Sequence, residues 1–199
     1  MTFTFPLKIH FRLIAFAPRV DVRDAEGKTV LYVEQKVFAL KEAVKVFNNS
    51  EEKKLLFTQQ AESIIDFGAT YHFKSAEGKS IGAIRQEGVK SLFRASYIVL
   101  DPHGKEVYRV TQTNPLIALL DTLVSIIPFA ELLTGFIFNP TYAVSEKEDG
   151  DAVMTMKKKP SLLESEFEIS LDNSDVSKEK QLLLVLSLLM IVQLEKERS

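Results

Sequence analysis

The 199-residue chain contains no cysteine and no tryptophan, and its acidic and basic residues nearly balance. Without cysteine the chain can form no disulfide, thiol nucleophile or thiolate metal site, which is typical of proteins in a reducing compartment. A formal net charge of −2 gives no overall attraction to nucleic acid, so we expect no nucleic-acid partner. The N-terminus lacks the basic region and the small-residue cleavage site of a signal peptide. These absences together predict a cytoplasmic protein.

Motifs that carry catalysis or bind metals are also missing. The chain has no Gly-x-Ser-x-Gly nucleophile elbow, no P-loop and no Gly-x-Gly-x-x-Gly turn. Its three histidines, His10, His72 and His103, are scattered, and no pair has the i, i+4 spacing of helical metal ligands. The acidic run at 146–151 lacks the alternating ligands and the terminal glutamate of a calcium loop, so a hairpin turn explains it better. We therefore expect a protein that is not an enzyme and has no cofactor and no metal.

The longest apolar stretch lies at the end of the chain. From 182 to 192 every residue except Ser187 is apolar. A helix that is apolar on all sides is buried in protein or in a membrane, and this stretch rises only about 16 Å, roughly half of a bilayer's hydrocarbon core. The pattern therefore predicts no transmembrane segment and a helix over about 177–196 in the centre of the protein. Its expected core residues are Leu182, Leu186, Leu189 and Val192.

Most of the chain before this helix has the pattern of short strands. Apolar and polar residues alternate over 8–13, which is the period of a half-buried strand. Gly27, Gly78 and Gly104, each followed by lysine, indicate three hairpin turns of one type. Further strands are predicted at 20–22, 29–34, 44–47, 54–58, 70–74, 80–81, 92–100, 106–112, 141–145, 152–157 and 166–171. About a dozen short strands in a meander are typical of a large barrel or sandwich.

A closed barrel fits both the strands and the helix. Closure removes exposed sheet edges, and a barrel that is wide enough to hold a helix needs more than eight strands. We therefore predict a single domain over 1–199 of the mainly β class. It is an antiparallel closed barrel of about twelve strands around a buried, hydrophobic C-terminal helix.

One helical insert, predicted over 115–135, interrupts the strands. Asn114 and Pro115 form a typical helix start, and Pro128 stops or kinks the helix. Two interpretations stay open: a lid that packs on the end of the barrel, which we favour, or a surface for a protein partner or a membrane. Asp121 on the polar face, with no basic residue beside it, is atypical of a membrane-surface helix. The residues expected to form this lid or partner surface are Leu116, Leu120, Leu123 and Ile127.

Four stretches resemble the LURP-one-related family. They are residues 27–42 (GKTVLYVEQKVFALKE), 82–97 (GAIRQEGVKSLFRASY), 132–142 (LLTGFIFNPTY), and the closing pattern from 158–161 (KKPS) through Phe167 to the apolar helix. That family looks like part of the tubby C-terminal-like superfamily, with the phospholipid scramblases as relatives. The resemblance implies a twelve-stranded barrel around a central C-terminal helix and covers nearly the whole chain. The chain lacks the proline-rich N-terminal segment and the cysteine cluster of scramblases, and the basic lipid-binding residues of tubby domains find no residue-by-residue match.

Two basic clusters are the candidate anionic head-group sites. The first is Lys157, Lys158 and Lys159 at the end of a predicted strand, and the second is Lys53 and Lys54 after a predicted turn. The alternative for both is an ordinary solvated surface that balances the acidic residues. The function we expect is that of an intracellular binding or scaffold module with peripheral phospholipid association. A protein-interaction or stress-response module that uses the helical insert as its partner surface is the alternative.

Overall fold

A computed structural model describes residues 1–14, 17–34, 44–62, 68–87, 95–113, 139–148, 150–160 and 165–198 of the chain. These residues form twelve strands and one helix. The strands are β1 Leu7–Ile14, β2 Ala17–Arg23, β3 Thr29–Glu34, β4 Val44–Phe47, β5 Leu55–Ala61, β6 Thr70–Ser75, β7 Ser80–Gln86, β8 Ser96–Leu100, β9 Glu106–Gln112, β10 Thr141–Ser145, β11 Ala152–Lys159 and β12 Ser165–Leu171. The helix, α1, is Lys178–Arg198.

Each strand pairs antiparallel with the next strand in sequence, and β1 pairs with β12, so the sheet closes into a barrel. The predicted fold class is therefore confirmed: a closed twelve-stranded antiparallel barrel with a C-terminal helix. The up-and-down order gives the barrel two ends. We call one the turn end, because it carries the short turns at 24–28, 48–54, 76–79 and 101–105. We call the other the far end, where β1, β3, β5, β7, β9 and β11 finish.

Three of the turns at the turn end are of one type, as the sequence predicts. Gly27, Gly78 and Gly104 all have φ between 81° and 83°, a conformation that disfavours residues with a side chain. In the first of these turns the amide of Gly27 donates to the carbonyl of Asp24 over 2.9 Å, and the Asp24 carboxylate accepts from the amides of Glu26 and Lys28. The Asp101 carboxylate does the same in the third turn. These bonds satisfy the turn amides and fix the strand register at this end.

Helix α1 runs through the barrel from the turn end to the far end. The chain enters it directly from β12, and residues 183–192 are all buried. Ser187, the polar exception in the apolar run, is fully buried and donates from its hydroxyl to the carbonyl of Leu183 over 2.8 Å. Leu186, Leu189 and Val192 are fully buried, whereas Leu182 in the first turn is partly exposed. The wall therefore surrounds the helix on every side, which is why its sequence has no polar face.

Two glutamines join the wall to the helix inside the barrel. Gln59 on β5 donates from Nε2 to the carbonyl of Leu186 over 3.2 Å. Gln193 on α1 donates from Nε2 to Gln59 Oε1 over 2.9 Å and to the carbonyl of Leu189 over 3.1 Å. Both side chains are about 1% exposed. Buried polar groups are costly unless they are paired, so this link favours one register of the helix over the alternatives.

Close contact between α1 and β7 depends on a glycine. A Cβ atom on Gly82 would lie 2.4 Å from the backbone carbonyl oxygen of Leu100 and 2.7 Å from Cδ1 of Leu183. Its φ of 140° also lies where residues with a side chain rarely occur. The glycine thus leaves room for the Leu183 side chain against the wall.

The predicted helical insert lies outside the described residues, together with Leu116, Leu120, Leu123 and Ile127. Its proposed roles as a lid or a partner surface stay predictions. In the part of the chain that the structure describes, no helix has both the length and the apolar character to span a membrane.

Candidate anion-binding face

Strand alternation places the basic residues of β1 and β2 on the outside of the barrel. Leu7 and Ile9 on β1, and Val20 and Val22 on β2, are buried in the core. The residues between them therefore face outward, because successive side chains in a strand point to opposite sides. Among the residues whose side chains the structure describes, the outward-facing charged or titratable positions of these two strands are Lys8, His10, Arg19, Asp21 and Arg23.

The register of the β1–β2 hairpin sets like charges opposite each other. Lys8 is the cross-strand partner of Arg23, and Arg12 is the partner of Arg19. Directly opposed like charges destabilise a sheet. The Nε atom of Arg23 is buried and has no hydrogen-bond partner among the described residues. Strands β1 and β2 thus carry positive charges that the pairing between these two strands does not neutralise.

Strands β12 and β11 extend this face on the other side of β1. Glu168 is the cross-strand partner of both Lys8 and Lys157, so Arg23, Lys8, Glu168 and Lys157 form one row across four strands. The second row is Asp21, His10, Glu166 and Lys159. In these rows Lys159 Nζ lies 2.9 Å from Glu168 Oε1, and His10 Nδ1 lies 3.4 Å from Glu166 Oε2.

We call these outward positions the basic face. Its charged members are Lys8, Arg19, Arg23, Lys157 and Lys159, opposed by Asp21, Glu166 and Glu168. Within these four strands, five basic against three acidic residues leave a surplus of two positive charges on a chain whose formal net charge is −2. At the edge of the face, Glu34 of β3 is the cross-strand partner of Arg19. The positive charge of this protein is therefore local, which is the arrangement needed to attract an anionic surface despite the acidic total.

The strand pleat divides the predicted lysine cluster between the two sides of the wall. Met156 before the cluster is fully buried, so Lys158 shares its inner side, whereas Lys157 and Lys159 face outward. Burial lowers the pKa of Lys158. Only two of the three lysines therefore belong to the basic face.

The second predicted cluster lies at the opposite end of the barrel. Lys53 and Lys54 are exposed in the turn between β4 and β5, at the turn end, whereas β11 finishes at the far end with Lys159. Acidic residues surround this pair: Glu51 and Glu52 precede it in the turn. The pKa of Glu77 is lowered, first by a hydrogen bond from the Ser75 hydroxyl and further by the charge of Lys54. The structure does not bring the two lysine clusters together, and it gives the second one no surplus of positive charge.

The sequence reasoning missed the residues of the β1–β2 hairpin. Their signal was present, because basic residues recur at an even spacing of four positions, at Lys8 and Arg12 and again at Arg19 and Arg23. Adjacent lysines such as Lys53 and Lys54 stand out more clearly in a sequence. In a strand, however, neighbouring residues separate to opposite faces while alternate residues gather on one face.

The basic face offers charged groups for ion pairing with an anionic partner. Among the residues that the structure describes, no three histidine, aspartate or glutamate side chains are grouped so that they could hold a metal ion. Comparison of the chain with protein-family models, with curated proteins and with solved structures finds no match.

Proposed function

We propose that the chain is a non-enzymatic intracellular binding module of the tubby-like type, which associates peripherally with anionic phospholipid surfaces through the basic face. The observation that carries the proposal is the opposition of like charges on β1 and β2, where Lys8 is the cross-strand partner of Arg23. Such pairing costs stability in an isolated barrel and becomes favourable once anionic groups lie against it.

The shape of the face supports a surface as the partner. The basic residues lie on the outer side of four adjacent strands, and their rows run across these strands as a broad surface. Each basic residue near an anionic membrane contributes about 1 kcal/mol of attraction, which falls off within the Debye length of about 10 Å at 0.1 M salt. With a surplus of only two charges, the association is weak, reversible and strongly dependent on salt.

Membership of the LURP-one-related family is part of the proposal. The closed twelve-stranded barrel around a C-terminal helix is the fold that the resemblance implies, and it supports the assignment without specifying the ligand. The alternative function, a protein-interaction or stress-response module, depends on the insert at 115–135, which lies outside the described residues.

Flotation with liposomes tests the proposed function. The protein should float with vesicles that contain phosphatidylserine and stay behind with vesicles of phosphatidylcholine alone. Replacing Lys8 and Arg23 together with glutamine removes two charges and about 2 kcal/mol of attraction, which weakens binding roughly thirtyfold. The double variant should fold as well as the natural protein, because the change also removes a repulsive pair.

The matched control is the replacement of Lys53 and Lys54 with glutamine. This variant has the same net charge as the first but loses its charges at the turn end, away from the basic face. It should keep its binding to phosphatidylserine vesicles. Equal losses in the two variants would show that net charge alone matters, and the basic face would then have no special role.

A further inference from the structure

Lys158 occupies an unusual place for a charged residue. It is the last inner-facing residue of β11, at the far end of the barrel, and it is partly buried. Its amide donates to the carbonyl of Pro140 over 3.0 Å, which holds the β10–β11 register up to this point. Lysine side chains are almost never placed on the inside of a fold unless they are paired.

No negative charge faces Lys158 from its own strand or from the two neighbouring strands. Its cross-strand partner on β12 is Phe167, which is fully buried, and the inner positions of β10 are Tyr142 and Val144. The acidic residues of β12, Glu166 and Glu168, lie on the outer side and contact His10 and Lys159. Among the described residues the Lys158 ammonium therefore has no ion-pair partner.

Tyr142 on β10 is a second polar group without a partner in the same region. Its side chain is fully buried, and its hydroxyl has no hydrogen-bond partner among the described residues. Buried tyrosine hydroxyls normally find a partner, and a buried polar atom that lacks one calls for an explanation, of which a bound water or ion is one.

The two groups lie on the same inner surface of adjacent strands. Tyr142 is the cross-strand partner of Met156, and Lys158 lies two residues further along β11 on the same side. Diagonal neighbours of this kind have Cα atoms about 7–8 Å apart, which is within reach of long side chains. An ammonium group and a hydroxyl together supply the two donors that an anionic oxygen group accepts.

We propose that Lys158 and Tyr142 form a binding site for one anionic oxygen group, a phosphate or a carboxylate, on the inner wall at the far end of the barrel. This site is separate from the basic face, because the wall of the barrel lies between them. The anion compensates the charge of Lys158 and accepts a hydrogen bond from Tyr142. Its source is either a soluble anion or the head group of a lipid.

The first experiment uses the unmodified protein and follows the titration of each lysine by NMR of its side-chain ε-carbon. Phosphate and acetate are each compared with chloride at matched ionic strength, and vesicles of phosphatidylserine form a fourth arm. A bound anion should raise the pKa of Lys158, because an opposite charge favours the protonated amine. The signal of Lys54, which is exposed at the turn end outside the basic face, is the internal control and should not respond to soluble anions. A shift with phosphate or acetate identifies a soluble anion as the source, and a shift with vesicles alone identifies a lipid head group.

Variants then test the two donors separately. Lys158→Met should weaken phosphate binding about tenfold to a hundredfold, and Tyr142→Phe up to about tenfold, as expected for one charged and one neutral hydrogen bond. Lys158→Arg should retain binding, and Lys54→Met, at the turn end and outside the basic face, should have no effect.

The proposal is wrong if neither soluble anions nor vesicles raise the pKa of Lys158 in the unmodified protein. That result needs no variant, so poor folding of a variant cannot conceal it. The outcome is also independent of the proposed membrane function. Loss of vesicle flotation on changing Lys8 and Arg23 tests the outer face, whereas the response to soluble phosphate tests the inner site.

Discussion

Leu186 and Leu189 provide the sharpest test of how the barrel is held together. Both side chains are fully buried in the middle of α1, and the carbonyls of both residues accept hydrogen bonds from the buried glutamines. Replacing either leucine with alanine should cost about 2–5 kcal/mol, through lost transfer free energy and the cavity that remains. We expect values in the upper part of this range, because a helix enclosed on all sides cannot move toward one wall to close the cavity.

Urea denaturation followed by circular dichroism measures this cost. With a total stability of about 5–15 kcal/mol for a protein of this kind, either change should move the midpoint strongly and leave the slope of the transition unchanged. Leu182→Ala is the graded control: its side chain is partly exposed, so its cost should stay below about 2 kcal/mol. Equal costs at Leu182 and Leu186, or a cooperatively folded protein after deletion of residues 178–199, would refute the central role of the helix.

Three further predictions concern other contacts inside the wall. Gly82→Ala should destabilise the protein by about 1–3 kcal/mol in urea melts, because the added Cβ would clash with the Leu100 carbonyl and the Leu183 side chain. Gly27→Asn is the control and should cost much less, because no atom lies within 4 Å of a Cβ at that position. Gln59→Leu should cost about 1–3 kcal/mol, because the buried Leu186 carbonyl and the Gln193 amide each lose a hydrogen-bond partner. Adding Gln193→Leu should recover part of that loss. A second loss of equal size would contradict the link between the glutamines. Lys158→Met should be more stable than the natural protein at neutral pH in the absence of binding anions, and the difference should shrink as the pH rises toward 10.5.

The sign of the Lys158 prediction follows from its lowered pKa. Burial makes the folded protein hold this proton less tightly than the unfolded chain does, so protonation opposes folding. The full penalty is present below the folded-state pKa, and it disappears between that pKa and the ordinary value of 10.5. A stability difference that grows with pH over this window would show that the side chain is not desolvated.

The sequence was sufficient to predict the architecture because the relevant signals are local. The apolar run at 182–192 has no polar face, and only a surrounding wall can bury such a helix. The recurring turns with Gly27, Gly78 and Gly104 indicate hairpins, and consecutive hairpins make a meander. Details at strand ends were less predictable: β11 continues to Lys159, two residues beyond the predicted end, because lysine is a poor signal for a strand.

The candidate site was less predictable because it depends on pairing between strands. That Lys8 faces Arg23, and that Glu168 lies between Lys8 and Lys157, follows from a register that links β12, β1 and β2. The closure of β1 against β12 joins residues about 160 positions apart in sequence, such as Lys8 and Glu168, and no local pattern specifies it. That Lys158 lies on the opposite side of the sheet from Lys157 and Lys159 could have been predicted from the sequence. Once Met156 is assigned to the core, the alternation of side chains along a strand also places Lys158 on the inner side.

The most direct test of the proposed function is the partition of the unmodified protein between buffer and vesicles as a function of salt. With phosphatidylserine vesicles the bound fraction should be high at low ionic strength and fall steeply as salt is added, because the attraction comes from a few exposed charges on the basic face. With phosphatidylcholine vesicles it should stay near zero at every salt concentration. Binding that is equal for the two lipids, or binding to phosphatidylserine that does not respond to salt, would contradict the assignment of the basic face to an anionic membrane.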